Sequence, residues 1–265
     1  MAAVKDIYEY LNGFAPFGLQ MDFDNSGFLV GRGAAQVNRI LVALDITEEV
    51  VKEAAERGCQ LIVAHHPVIF HPARSITDES VNGRILLSLV EQGIAAICAH
   101  TNLDAVAEGV NDCLAAALKL TEVEQLHEDG VDGQGRSYGI GRVGTAHADG
   151  MSAGDYADFV KKRLNAASVR FADGGKPVKK VAVGGGSCGS MLADAVKAGC
   201  DTFVTADVKY DQYLEAKALG INLMDAGHYA TENVVCAPLA RRLGEAFPEL
   251  EVTVSSCHAE VYRGV

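Results

Sequence analysis

The stretch "NRILVALDITEEVVKEAAERGCQLIVAHH", residues 38–66, sets the architecture. "NRILVALDIT" opens it with an unbroken apolar, β-branched run, the pattern of a strand covered on both faces. "EEVVKEAAERG" then spaces its apolar residues at helical intervals and stops at Gly58, a residue suited to the position just past a helix end. "QLIVAHH" is a second buried strand, and it closes on two histidines. Adjacent residues inside a strand point to opposite faces, so His65 and His66 converge only if they lie where the chain turns. Pro67 favours such a turn, because it lacks an N–H and biases His66 away from helical geometry.

The alternation continues on both sides. "NGRILLSLVEQG" is a second amphipathic helix ending at Gly93, and "IAAICAHTNLD" a third strand. The later half repeats the order with "VKKVAVGGG", "SMLADAVKAG", "CDTFVTADV", "YDQYLEAKALG" and "INLMDAGHYATE". The offset that places Gly58-Cys59 over Gly199-Cys200 also places Ile40–Ala43 over Val181–Gly184, and the third strands align separately, Gly93-Ile94 with Gly220-Ile221. Between the halves, "SYGIGRVGTAHADG" reads as a short strand and turn. "SAGDYADFVKKRLN" reads as a helix N-capped by Ser152, and "SVRFADGGKP" as a strand and turn. The tail is a helix, "ENVVCAPLARRLGEAFP", and a last strand, "LEVTVSS". The chain therefore reads as an α/β protein of two pseudo-symmetric units, residues 1–126 and 127–265, with the C-terminal helix and strand packing back on the first.

Composition narrows the function. With 265 residues, 49% of them apolar and 22% charged, the chain can bury a full core. A net charge of −12 argues against a nucleic-acid groove, whose phosphates need a basic face, but leaves room for a small anionic ligand held by metal ions. No stretch approaches the ~18 consecutive apolar residues of a membrane helix. "MAAVKDIYEYLNGFAP" carries Asp6 and Glu9 and lacks the apolar core of a signal peptide. Seven scattered cysteines without C-x-x-C spacing read as reduced thiols, so the expected location is cytoplasmic.

Ligands of open α/β folds bind beyond the carboxyl ends of strands, and that is where the unusual polar residues gather. His65 and His66 end one strand, "AHTNLD" offers His100, Asn102 and Asp104 at the next, and "DAGHYATE" offers Asp225, His228 and Glu232. His228 and Glu232, four apart at a helix start, share one face. Two histidines, an aspartate, a histidine and a glutamate form an inventory of metal ligands suited to Zn²⁺, Mn²⁺ or Fe²⁺. Five such ligands exceed one catalytic zinc site and suit a pair of ions. Asp104 taken alone reads rather as the N-cap of a helix over "AVAEGVNDCLAAALKL", and Glu232 as a complement to a helix dipole. His71, His127, His147 and His258 lack this placement and read as structural or surface residues.

Taken together, "DFDNSGFLVG", "VALDIT", "IVAHHPVIF", "AHTNLDA", "GVND", "GGGSCG" and "DAGHYATE" resemble the NIF-three-like dinuclear metal-centre family. Some of its members are known as type 2 homologues of GTP cyclohydrolase I. The resemblance implies two interlinked α/β units per subunit, two divalent ions per subunit, and a toroidal homohexamer with metal pairs lining its cavity. It carries the metal ligands onto His65, His66, Asp104, His228 and Glu232. Two departures stand out: Phe23 replaces the family's usual Trp, and "TADVKYDQ" has Asp207 and Asp211 where Glu and His are common. If that histidine moves protons in relatives, Asp211 unsettles the catalytic assignment and leaves the metal ligands intact.

The expected activity is metal-dependent hydrolysis of a small polar or nucleotide-like substrate through a metal-bridging hydroxide. His100 is the candidate proton shuttle or orienting partner, and equally a hydrogen-bonded strand-end residue. Asp24, Asn25 and Asp45 stand where they orient ligands or serve as turn and capping residues. The same ligand set serves a non-catalytic metal-binding or metal-delivery protein. A rival lies in "GGSCG", residues 185–189, which satisfies the G-x-S-x-G nucleophile elbow with Ser187, an acid among Asp201, Asp207 and Asp225, and His228 or His258. Three consecutive glycines more plainly mark a tight turn or an anion contact, and His228 does not easily serve both a triad and a metal pair.

Overall fold

In the computed structural model, which describes residues 2–147 and 150–263, the chain first lays down α1 (Val4–Phe14), β1 (Gly27–Val30), β2 (Arg39–Ala43), α2 (Glu48–Glu56), β3 (Leu61–Ala64), α3 (Val81–Glu91), β4 (Ala95–Cys98) and the short α4 (Thr101–Ala105). The middle of the chain supplies α5 (Val110–Ala117), β5 (Thr121–Gln125), β6 (Gly130–Val131), β7 (Ser137–Tyr138), β8 (Arg142–Thr145), α6 (Ala153–Leu164), β9 (Arg170–Ala172) and β10 (Lys180–Val183). Then follow α7 (Leu192–Lys197), β11 (Thr202–Thr205), α8 (Tyr210–Leu219), β12 (Asn222–Asp225), α9 (His228–Glu232), α10 (Cys236–Ala246) and β13 (Glu251–Val254). Two compact units result: Met1–Leu103 with Cys236–Ala259, and Asp104–Val235 with Glu260–Val265.

The first unit is built on a sheet of order β1-β4-β3-β2-β13. Its β2, β3 and β4 run parallel, β13 joins β2 in parallel, and β1 is antiparallel to β4. Buried throughout, β3 and β4 have the two-sided cover their apolar runs demand. Leu41, Ala43, Ile62, Ala64 and Ala96 pack against Val50, Val51 and Ala54 of α2 and against Ile85, Leu86 and Leu89 of α3. Thr47 caps α2 by accepting the Val50 N–H at 3.2 Å, and Gly58 closes it at φ +64°. Because β2, β3 and β4 are parallel, their carboxyl ends share one sheet edge, and Asp45, His65, His66 and His100 follow directly.

The second unit has the sheet order β5-β8-β10-β11-β12-β9. Parallel β10, β11 and β12 form its middle, with β8 and β9 antiparallel on either side. Successive residues of β10 serve opposite layers. Val181 and Val183 pack with Leu114 of α5 and Tyr156 and Val160 of α6, and Ala182 with Leu192 and Ala195 of α7 and Ala216 beyond. Ser152 caps α6, accepting the Asp155 N–H at 3.1 Å. The units divide at Leu103/Asp104 rather than after residue 126, because Leu114, Ala115, Leu118 and Leu120 belong to this second core. The C-terminal α10 and β13 lie in the first unit, β13 extending the sheet beside β2. Asp104 lies inside α4, and the N-cap of α5 is Gly109.

Candidate metal centre

The adjacent histidines of the first unit converge because β3 ends at Ala64 and both lie beyond it. Their ring centroids are 5.0 Å apart, and the ring of His100, two residues past β4, stands 5.1 Å from His65 and 5.5 Å from His66. One ring nitrogen from each of the three lies within 4.8 Å of the others.

What surrounds these rings fixes their protonation. His65, buried, holds Nδ1 2.8 Å from the Ala99 carbonyl oxygen, which only accepts, so Nδ1 carries the proton. His66 Nδ1 donates to Asp45 Oδ1 at 2.6 Å, and His100 Nδ1 to Asp24 Oδ1 at 2.8 Å. All three rings thus present Nε2 as the electron-pair donor, the tautomer a metal ligand needs. Asp24 is further held by Thr101 and by Ser26 Oγ at 2.9 Å. Burial alone would raise the Asp24 carboxyl, but bonds from His100, Thr101 and Ser26 hold it well below the usual carboxylate range. Asp45 is held low against its own burial by His258 and His66.

The second unit carries the remaining candidates. His228 and Glu232 occupy the two ends of α9, one turn apart, with Nε2 and Oε2 at 2.9 Å. Asp207 Oδ2 accepts from His228 Nδ1 at 2.7 Å, leaving Nε2 directed at the carboxylate. The triple glycine makes this approach possible. A Cβ on Gly186, at φ +62°, would fall 2.0 Å from Glu232 Oε1 and 3.2 Å from His228 Nε2. Gly185 and Gly186 give their N–H groups to Asn111 Oδ1 at 2.9 Å and Thr231 Oγ1 at 3.0 Å, so neither is left to cradle an anion. Both nitrogens of His228 face carboxylates, which removes it as a base for Ser187.

Asp104 and Glu232 are buried carboxylates, 7% and 3% exposed. Burial first, and then the charges of Asp104 and Glu232, push the Cys188 thiol upward. A buried, negative environment with the His228 imidazole as a donor is chemically matched to a divalent cation. Asp104 owes its place to Asn111, whose Nδ2 donates to the Asp104 carbonyl at 2.9 Å while its Oδ1 holds Gly185.

The structure therefore groups His65, His66 and His100 in one unit, and His228 with Glu232 in the other, where Asp104 also belongs. Asn111 and Thr231 carry no independent signal in the sequence, although both fall within its quoted motifs. Asp207, read there as a departure or as a rival acid, orients His228. His258, set aside as structural or surface, reaches Asp45 with Nε2 at 2.8 Å from Oδ2. Asp211 is exposed in the first turn of α8. Among the described residues, no helix is long and apolar enough to cross a membrane.

Residues 2–261 match the family described as Duf34/NIF3 (NGG1p interacting factor 3). A Clostridium perfringens protein named GTP cyclohydrolase 1 type 2 homolog is 35% identical over 243 residues, covering 91% of each chain. The crystal structure of Staphylococcus aureus hypothetical protein SA1388 superposes with a TM-score of 0.93 at 30% identity, covering 99% of both chains. That of a Bacillus cereus protein related to NIF3 gives 0.93 at 25% identity, covering 100% of this chain and 99% of the other.

Proposed function

The chain belongs to the Duf34/NIF3 family, and we propose that this protein binds a pair of divalent transition-metal ions and hydrolyses a small polar or nucleotide-like substrate. The observation that carries the reading is the common state of four histidines: His65, His66, His100 and His228 each have Nδ1 engaged by a carbonyl or carboxylate. We assign the ligands as His65, His66, Asp104, His228 and Glu232, and the ions as zinc, manganese or iron, which suit imidazole and carboxylate donors. Bound ions of this kind supply Lewis acidity and lower the pKa of water. His100 is the proton carrier: Asp24 holds its Nδ1–H and stays ionised, so Nε2 accepts a proton and the carboxylate stabilises the imidazolium that forms. Asp207 and Asp45 orient His228 and His66.

The relatives' name directs the substrate screen toward nucleotides, alongside phosphoesters and cyclic amides. We further propose a homohexamer, which light scattering after size exclusion tests directly, and a cytoplasmic location, which suits seven cysteines in the thiol state. The decisive test is elemental mass spectrometry on protein purified without added metal or a metal-binding tag. About two ions per chain in the wild type, falling sharply in His65→Ala, supports the centre. No metal in either, and none taken up from Zn²⁺, Mn²⁺ or Fe²⁺, overturns it. Turnover abolished by Asp104→Ala establishes the enzyme, whereas bound metal without turnover of any screened class points to a metal-binding or metal-delivery protein.

A further inference from the structure

His66, Asp45 and His258 form a continuous chain of hydrogen bonds. Asp45 lies just past β2 and accepts twice: Oδ1 from His66 Nδ1 at 2.6 Å, Oδ2 from His258 Nε2 at 2.8 Å. An ionised carboxylate only accepts, so both imidazoles must be donors toward it. The His258 side chain is 8% exposed against 38% for Asp45, so the outer histidine is the more enclosed member of the pair. A surface histidine would show the reverse.

The segment that delivers His258 is itself tied down. β13 runs parallel to β2, so the chain leaving β13 emerges beside the carboxyl end of β2, where Asp45 stands. Ser255 N–H donates to the Val42 carbonyl at 2.8 Å. Glu53 of α2 then gathers the next residues: it accepts from Ser255 Oγ at 2.5 Å, from Ser256 N and Oγ at 2.9 and 2.7 Å, and from Cys257 Sγ at 3.1 Å. Arg57 braces the same carboxylate at 2.6 Å and donates to Ser256 Oγ at 2.9 Å. Two carboxylates from two elements thus fasten residues 255–258, and the fourth residue of that strap is the histidine.

From this arrangement we infer that His258 is a positioning residue for the metal site: by occupying one oxygen of Asp45 it holds the other against His66 Nδ1, keeping His66 in the tautomer whose Nε2 donates to metal. This rests on the metal-binding reading for its purpose, though not for its geometry. Without His258, the half-exposed Asp45 carboxylate is free to rotate toward water, and His66 loses the acceptor that selects its tautomer. Partners of this kind beyond the ligands themselves alter metal affinity by about 10–100-fold when removed.

The test uses the full chain, stripped of metal, with ¹⁵N-labelled histidine. Long-range imidazole spectra read which nitrogen of His66 carries the proton. The wild type should show His66 protonated on Nδ1 and His258 on Nε2. His258→Leu should shift His66 to a mixture of tautomers and lower Zn²⁺ affinity by about 10-fold in calorimetry. His258→Gln, whose amide nitrogen can reach Asp45 from the place of Nε2, should restore both, which a merely structural loss would not. His66 found protonated on Nε2 in the wild type overturns the inference even if the leucine variant does not fold. An unchanged His66 tautomer in a folded leucine variant overturns it as well. A wild type that shows the stated tautomers and binds no metal sinks the metal reading and leaves the positioning relay standing.

Discussion

Asp207 adopts a left-handed backbone, φ +51°, which few residues other than glycine take up, and from it reaches His228 Nδ1. Aspartate tolerates that conformation better than most, and the contact makes the conformation useful. Asp207→Asn keeps the shape but removes the charge that fixes the ring. We expect metal affinity to fall by about 10–100-fold in calorimetry with Tm of the metal-free protein unchanged. Unaltered affinity would reduce Asp207 to a surface residue. Gly186 is the opposite case, a residue defined by what it lacks. Gly186→Ala places a methyl against Glu232 and strains a positive φ, so the variant should lose about 1–3 kcal/mol in urea denaturation and bind metal poorly.

Helix α2 carries two functions, one at its start and one along its length. Its N-terminal cap is local, and Thr47→Ala should cost about 1 kcal/mol, checked by the same denaturation assay. Its Glu53 is long-range: burial opposes ionisation, but the hydroxyls of Ser255 and Ser256, the Ser256 N–H and the Cys257 thiol outweigh it and lower the carboxyl to about 2. A carboxyl depressed by folding binds fewer protons in the native state than in the unfolded one. Its contribution is therefore full above the usual glutamate value and disappears as pH falls toward about 2. Comparing urea midpoints at pH 6 and pH 3 on chelator-treated protein, we expect Glu53→Gln to be less stable than wild type at pH 6 and to lose less on acidification. This contrast marks what sequence can disclose. The cap at Thr47, the stop at Gly58 and the apolar runs of β3 and β4 are written within a few neighbouring residues, so β2-α2-β3 is legible. Glu53 to Ser255 and Asp45 to His258 each join positions more than 200 residues apart, and nothing near either partner announces the other. Asp104 misleads for a related reason: a cap is the local reading of an acid before a helical pattern, and only packing reveals that the helix begins later.

The molecule as a whole should register metal as stability. If ions bind the folded chain and not the unfolded one, metal at about 100 times its Kd adds about 2.7 kcal/mol. We expect Tm to rise with Zn²⁺ or Mn²⁺ in the wild type, to fall on chelation, and to ignore both in Glu232→Ala, as scanning calorimetry would show. The chain's route has an implication for its synthesis. Residues 104–235 are continuous and hold nearly all of the second unit, whereas the first unit is finished only when Cys236–Ala259 arrives. Until β13 emerges from the ribosome, β2 stands as an unguarded edge of a mostly parallel, strongly apolar sheet, open to pairing with other nascent chains. The part of the protein that begins first thus closes late, and its vulnerability lasts for the time taken to translate the other half.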